Sequence, residues 1–290
     1  MDGMVKLIAI DMDGTLLDHE GRVSEANRQA IAAAQAKGVV VAIATGRSYH
    51  GARRVLDEIE FMGPLIYLNG ACTQLPDGEL VEEIFMPPGK VDELAHLLKD
   101  GGTYYEFYTR DGIYRNRDGI EIIKAEMDKL EHVDTSLHQW LESFTERRRN
   151  RIEDRVKGRY AEDILADPSI GIYKAVALSS DLPKLKRVRQ RAEAVSGVAV
   201  SASSVYNFEV NDQKAQKGIA VQKLAERYGV PMQEVMVIGD NQNDRSMMKV
   251  AGVPVAMGNA EDEVKQICRF VTKTNTENGV AHAIHKFVGD

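Results

Sequence analysis

Short apolar runs that end in small, amide or acidic residues recur along this chain of 290 residues. Each run has the length of a strand and is apolar on both faces, a pattern typical of parallel strands covered on both sides. Helical periodicity separates several of the runs, and the alternation of strand and helix predicts a doubly wound α/β domain with a mainly parallel sheet. The runs are residues 5–10, 39–44, 65–68 and 235–238.

Two segments between the runs carry clear helix signals. Residues 24–37 begin at Ser24, which can cap a helix N-terminus, and end before Gly38, where a left-handed residue is favoured. Residues 217–228 show an apolar face at helical spacing, and Gly229 ends the segment. These two segments are predicted to be helices of the α/β domain.

The length and the middle of the chain predict a second domain. The chain is longer than a typical domain of about 100–150 residues. Residues 87–205 mix helical and strand-like segments in a different order, and they follow the linker-like Pro87-Pro88-Gly89. We predict an α+β domain over 87–205, inserted into a core formed by residues 1–86 and 206–290.

Composition excludes several classes of partner. The net charge of -7 gives no long-range attraction to nucleic acid or to anionic lipid. Two cysteines rule out a disulfide-rich framework, and no run approaches the roughly 20 apolar residues of a membrane span. We therefore expect a cytoplasmic protein without nucleic-acid or membrane partners. The sequence leaves the oligomeric state open, because no heptad pattern is visible.

Acidic residues stand where the predicted strands end. Asp11 and Asp13 follow the first run, and Asp240 follows the last. The carboxyl ends of parallel strands form the binding crevice of such a sheet. Burying carboxylates there without partners costs several kcal/mol, so a cation is implied, and oxygen ligands favour Mg2+.

Other strand-end residues suit a phosphoryl group held beside that cation. Thr45 offers a hydroxyl and a backbone amide, Lys217 a positive charge and Asn243 a side-chain amide. Phosphoryl transfer depends mainly on positioning and on neutralising charge. A carboxylate can act as nucleophile while a second acid protonates the leaving oxygen. Each residue alone has an ordinary structural explanation, but their joint occurrence predicts phosphoryl chemistry.

The same residues resemble the four motifs of the haloacid dehalogenase superfamily of phosphatases. Asn69-Gly70-Ala71, residues 255–260 and residues 278–281 resemble its Cof-type branch, which has a Rossmann-like core and a large inserted cap domain. The four motifs stand here as Asp11-Met12-Asp13-Gly14-Thr15, Thr45-Gly46-Arg47, Lys217-Gly218 and Gly239-Asp240-Asn241-Gln242-Asn243-Asp244.

The resemblance implies roles for these positions. Asp11 would be the nucleophile and Asp13 the general acid and base. Magnesium would be held by Asp11, by the backbone carbonyl of Asp13 and by Asp240, with Asp244 supporting Asp240 from behind. Five residues would bind the phosphate or the substrate: Thr45, Gly46, Asn69, Lys217 and Asn243.

The function implied is magnesium-dependent hydrolysis of small phosphorylated metabolites, with sugar phosphates the expected class, through a phospho-aspartyl intermediate. A phosphomutase on the same fold and a non-catalytic protein that binds a phosphorylated ligand are the alternatives. A separate arginine-rich stretch, residues 147–159, admits a nucleic-acid patch, but interspersed acidic residues favour a solvated helix face.

Overall fold

The structure is a computed structural model that describes residues 5–130, 159–167 and 169–289. The chain folds into two compact units. The first unit comprises Met1–Ile84 and Lys214–Asp290, and the second unit is Phe85–Gln213. The second unit is therefore inserted into the first along the chain.

The helices and strands are numbered in chain order. They are β1 (Leu7–Ile10), α1 (Glu25–Ala36), β2 (Val40–Ala44), α2 (Tyr49–Leu56), β3 (Leu65–Tyr67), β4 (Cys72–Gln74), β5 (Leu80–Glu83), α3 (Pro88–Asp100), β6 (Tyr104–Thr109), β7 (Ile113–Arg115), α4 (Gly119–Leu130), α5 (Ala161–Leu165), β8 (Ile172–Leu178), α6 (Leu182–Glu193), β9 (Val198–Ser201), β10 (Asn207–Asp212), α7 (Lys217–Arg227), β11 (Val235–Gly239), α8 (Arg245–Met248), β12 (Val253–Ala256), α9 (Asp262–Ile267), β13 (Phe270–Val271) and α10 (Gly279–Val288).

The first unit contains an eight-stranded sheet in the order β13-β12-β11-β1-β2-β3-β4-β5. The strands from β13 to β3 run parallel, β4 pairs antiparallel with β3, and β5 pairs antiparallel with β4. Successive residues of a strand point to opposite faces, and every residue of β1 and of β11 is buried, so both faces of the sheet are covered. The predicted mainly parallel α/β sheet is confirmed.

The ends of α1 follow the local signals in the sequence. The Ser24 side chain accepts a hydrogen bond from the amide of Asn27, which satisfies one free donor of the first helical turn. Gly38 adopts a left-handed φ of 81°, a conformation that glycine reaches without a steric penalty. The chain thereby leaves the helix and enters β2.

The end of β3 differs from the prediction. The apolar run was expected to remain a strand to residue 68, but the strand stops at Tyr67 because Leu68 and Asn69 both have left-handed φ angles, 52° and 60°. Hydrogen bonds from Leu68 N to Arg47 O and from Asn69 N to Thr45 O hold this bend against the loop that follows β2. The bend brings Asn69 beside Thr45.

The second unit contains a five-stranded antiparallel sheet in the order β7-β6-β8-β10-β9. Residues 206–213 were assigned to the core by the sequence, yet β10 pairs with β8 and β9 in this sheet. A separate hydrophobic core joins the sheet to helices, and it includes Leu94, Leu98, Phe107, Val188 and Phe208. This separate antiparallel sheet confirms the predicted α+β character.

Within the middle of the chain, the sequence of residues 119–159 is polar and predicts a long helical region. The structure contains α4, Gly119–Leu130, and residues 131–158 lie outside the described residues, as does most of the arginine-rich stretch. None of the helices in the described ranges has the length and apolar character needed to cross a bilayer.

Candidate active site

The loops that follow β1 and β11 meet because the two strands are parallel neighbours. Ile10 pairs with Ile238, and the amide of Asp11 donates a hydrogen bond of 3.0 Å to the carbonyl of Ile238. One carboxylate oxygen from each of three aspartates lies within 4.8 Å of the others. These aspartates, called the acidic cluster below, are Asp11, Asp240 and Asp244.

Lys217 supplies positive charge to the acidic cluster from the first residue of α7. Its Nζ lies 2.5 Å from Asp11 Oδ1 and 2.7 Å from Asp244 Oδ1, and the side chain is fully buried. A buried ammonium group is tolerated only when it is paired in this way. Three carboxylates face this one ammonium group, so negative charge is in excess.

Asp244 supports the loop that carries Asp240. Its Oδ2 accepts hydrogen bonds from the backbone amides of Asp240, at 2.9 Å, and Asn241, at 3.0 Å, while Oδ1 contacts Lys217. Gly239 permits this approach, because a Cβ there would lie 2.5 Å from Asp244 Cγ. Both oxygens of Asp244 are therefore engaged by protein groups.

Asp240 is held by the segment that follows β1. Its Oδ1 accepts a hydrogen bond of 2.7 Å from the Thr15 hydroxyl. Gly14 has a φ of 83°, and a Cβ at this position would lie 2.3 Å from Asp240 Oδ2. Glycine is thus required here both for the turn and for the close approach of the carboxylate.

Burial and mutual repulsion disfavour the charged forms of Asp11 and Asp240. Burial raises the pKa of Asp11 well above its usual value, the Asp244 charge raises it further, and Lys217 opposes both effects. Burial, followed by the charge of Asp244, raises the pKa of Asp240 to about 7. Burial lowers the pKa of Lys217, but Asp11 and Asp244 outweigh that effect and raise it. An additional cation would relieve this excess of negative charge.

Asp13 lies outside the acidic cluster. Its side chain is 58% exposed, and its two carboxylate oxygens accept hydrogen bonds from Arg47, at 2.6 Å from Nη2 and 2.8 Å from Nε. The pair joins the loop after β1 to the loop after β2.

Three of the predicted phosphate-binding residues, Thr45, Asn69 and Asn243, are linked in a chain by hydrogen bonds. Thr45 is fully buried, its hydroxyl accepts a hydrogen bond from Arg47 N, and its carbonyl accepts one from Asn69 N. The side-chain amide of Asn243 donates to Asn69 Oδ1 at 3.3 Å. Gly46 lies within the turn between Thr45 and Arg47. The loops after β2, β3 and β11 are thus linked by hydrogen bonds.

A model of the haloacid dehalogenase-like hydrolase family matches residues 8–284, nearly the whole chain. The chain belongs to this family. The chain is similar to two proteins from Bacillus subtilis (strain 168). It is 34% identical to 5-amino-6-(5-phospho-D-ribitylamino)uracil phosphatase YwtE over 98% of both chains. It is 32% identical to phosphatase YwpJ over 96% of this chain and 98% of YwpJ. These relatives support a phosphatase hydrolase.

A solved structure shows the same fold as this haloacid dehalogenase-like hydrolase. A haloacid dehalogenase-like hydrolase from B. subtilis superposes with a TM-score of 0.83 at 32% identity, covering 96% of this chain and 98% of the other. The similarity therefore extends across both units.

The donor set of this hydrolase suits a hard divalent cation. The acidic cluster offers only carboxylate oxygens, one of its members has a pKa raised to about 7, and the one lysine leaves negative charge in excess. Oxygen ligands and a small number of protein groups are what Mg2+ accepts in proteins. The residues present therefore fit a bound magnesium ion.

Two contacts of the hydrolase site could not be seen in the sequence. The Thr15 hydroxyl donates a hydrogen bond to Asp240, and the Arg47 guanidinium donates hydrogen bonds to Asp13. Both residues belong to the motifs described above, but no role for either side chain was predicted from the sequence. Their positions inside the first and second motifs were the available signal. The partner of each is distant in sequence or lies on another loop, so only the fold reveals the pairing.

Proposed function

We propose that this protein is a magnesium-dependent phosphatase that hydrolyses phosphate monoesters of small metabolites through a phospho-aspartyl intermediate on Asp11. Sugar phosphates are the substrate class that we propose. The observation that carries the proposal is the buried acidic cluster around Lys217 at the ends of β1 and β11. A buried excess of carboxylates destabilises the folded protein when no cation is bound, and the same carboxylates can serve as ligands when one is present.

Magnesium would be held by the carboxylates of Asp11 and Asp240 and by the backbone carbonyl of Asp13. When bound, the ion supplies neutralisation of the charge on the phosphoryl oxygens. Asp244 would hold Asp240 in place through the two backbone hydrogen bonds that it accepts, rather than bind the ion itself.

The first chemical step would transfer the phosphoryl group to the protein. An oxygen of Asp11 attacks phosphorus, the bond from phosphorus to the ester oxygen breaks, and Asp13 gives its proton to the departing oxygen. In the second step Asp13 takes a proton from water as the water oxygen attacks phosphorus. Asp11 leaves as a free carboxylate and inorganic phosphate is released.

The remaining residues would bind rather than react. Lys217 contacts Asp11 directly and favours its ionised, nucleophilic form. Thr45, Gly46, Asn69 and Asn243 would donate hydrogen bonds to the phosphate or to the substrate. The second unit would act as a cap domain and provide the residues that select the substrate. The low cysteine count supports a cytoplasmic protein, and the acidic net charge argues against nucleic acid as its substrate.

A screen of phosphorylated metabolites with and without Mg2+ tests this proposal. The panel includes sugar phosphates and 5-amino-6-(5-phospho-D-ribitylamino)uracil, which is named for the relative YwtE. We expect phosphate release that requires Mg2+ and is lost in Asp11→Asn, whereas Asp100→Asn, the same change at an exposed site, retains it. Undiminished turnover by Asp11→Asn would refute the assignment of Asp11 as the nucleophile. Formation of an isomer of the substrate without free phosphate would indicate a phosphomutase.

A further inference from the structure

Arg47 makes a two-point contact with Asp13 that the proposed chemistry has not used. Its guanidinium donates from Nη2 to Asp13 Oδ1 at 2.6 Å and from Nε to Asp13 Oδ2 at 2.8 Å. Such a two-point contact between guanidinium and carboxylate fixes orientation as well as distance. A contact through a single point charge, such as lysine forms, fixes distance alone.

Three hydrogen bonds besides the contact with Asp13 hold Arg47 in place. The Arg47 amide donates to Thr45 Oγ1 at 3.1 Å, its carbonyl accepts from Leu68 N at 3.0 Å, and Nη1 donates to Gly51 O at 3.3 Å. The Arg47 side chain is 19% exposed, whereas that of Asp13 is 58% exposed. The arginine is therefore held independently of Asp13 and presents a fixed guanidinium group to that carboxylate.

We propose that Arg47 is a positioning residue that orients the Asp13 carboxylate for proton transfer to the leaving oxygen. This inference rests on the proposed function, in which Asp13 is the general acid. A general acid works only when it lies within hydrogen-bonding reach of the atom that it protonates. An exposed carboxylate can adopt several rotamers, and a two-point contact with an arginine that is held in place favours one of them.

The basicity of the leaving group separates this role from simple phosphate binding. A p-nitrophenolate ion leaves without a proton, whereas phenolate, whose pKa is near that of tyrosine at about 10, leaves more readily when protonated. The two phenyl esters have nearly the same shape. Loss of positioning therefore slows phenyl phosphate selectively, while loss of an arginine that only binds phosphate slows both esters equally.

The experiment measures kcat/KM, which reports the steps up to departure of the leaving group, for both esters with Mg2+. We expect Arg47→Met to lose at least about tenfold more on phenyl phosphate than on p-nitrophenyl phosphate, part of the 10²–10⁴-fold range of general acid catalysis. Arg47→Lys should show the same selectivity, because lysine cannot form the two-point contact. Arg54→Met, at an exposed position of α2, should leave both rates unchanged.

A double substitution supplies the second readout. If Arg47 acts through Asp13, Arg47→Met adds no further selective loss in an Asp13→Asn background. Equal losses on the two esters, or additive selectivity in the double variant, would overturn the positioning role. Selectivity in Asp13→Asn without selectivity in Arg47→Met would overturn it while leaving the proposed function intact. No magnesium-dependent hydrolysis of either ester by the wild type would overturn both.

Discussion

Replacing Lys217 by methionine removes the cation at the centre of the acidic cluster. In the metal-free protein the change leaves Asp11, Asp240 and Asp244 facing one another, with the buried Asp11 and Asp244 no longer contacted by an ammonium group. Removal of one partner from a buried ion pair costs about 3–5 kcal/mol. Because total stabilities are about 5–15 kcal/mol, we expect a large fall in the free energy of unfolding.

The substitution Asp11→Asn is expected to change the free energy of unfolding in the opposite direction. Burial and the charge of Asp244 raise the pKa of Asp11, so its ionised form is disfavoured in the folded protein. Asparagine keeps the shape and removes the charge. We therefore expect Asp11→Asn to raise the stability of the metal-free protein while it abolishes turnover.

Urea unfolding in the presence of a chelator, and again with Mg2+, measures both effects. Lys223→Met is the matched control, because Lys223 is 43% exposed and its ion pair with Glu82 is worth about 0–1 kcal/mol. A Lys217→Met variant no less stable than this control would refute the charge analysis of the cluster. Destabilisation of the metal-free protein by Asp11→Asn would refute it equally.

Three further predictions concern the residues around Asp240. Its folded pKa of about 7 exceeds the unfolded value of 3.8, so the folded state holds the extra proton between these values. The stability of the metal-free protein should therefore fall as pH rises from about 4 to 7, and Mg2+ should stabilise the folded protein more at pH 8 than at pH 5. Melting temperatures measured with and without a chelator test both expectations. Thr15→Val removes the hydroxyl that donates to Asp240 and should weaken Mg2+ affinity about 10–100-fold by calorimetry, whereas Thr15→Ser should retain it. Gly14→Ala places a Cβ 2.3 Å from Asp240 Oδ2 at a left-handed φ, so we expect weaker magnesium binding and a fall in the free energy of unfolding of about 1 kcal/mol or more. Gly21 also has a left-handed φ, but a Cβ added there meets no neighbouring group within 4 Å. Gly21→Ala should therefore lower the free energy of unfolding and leave magnesium binding unchanged.

The parts of the fold that could be predicted from the sequence are those governed by local pattern. The buried strands β1, β2 and β11 are continuous apolar runs, and Ser24 and Gly38 mark the ends of α1. Parallel strands end at the same edge of a sheet, so the residues after β1 and β11 were expected at one edge, and the pairing of β1 with β11 makes them neighbours. The juxtaposition of Asp11 and Asp240 follows from that topology.

The parts that could not be predicted depend on long-range pairing. Leu68 and Asn69 leave the strand because their backbone amides donate hydrogen bonds to carbonyl oxygens of the loop after β2. Leucine is an uncommon residue at a left-handed φ, so the sequence contains no local signal for this turn. The strand β10 belongs to the sheet of the second unit because of its partners, not its composition. The contact between Arg47 and Asp13 likewise joins two loops 34 positions apart.

Chemical trapping of the phosphorylated protein tests the central claim most directly. The enzyme is mixed with a substrate from the screen in the presence of Mg2+, quenched during turnover and treated with borohydride, which reduces an aspartyl phosphate to homoserine. Tandem mass spectrometry then locates the changed residue. We predict homoserine at position 11, dependent on substrate and absent from Asp11→Asn. Phosphate release with Asp11 unchanged, or with the modification on another residue, would contradict the assignment of Asp11 as the nucleophile.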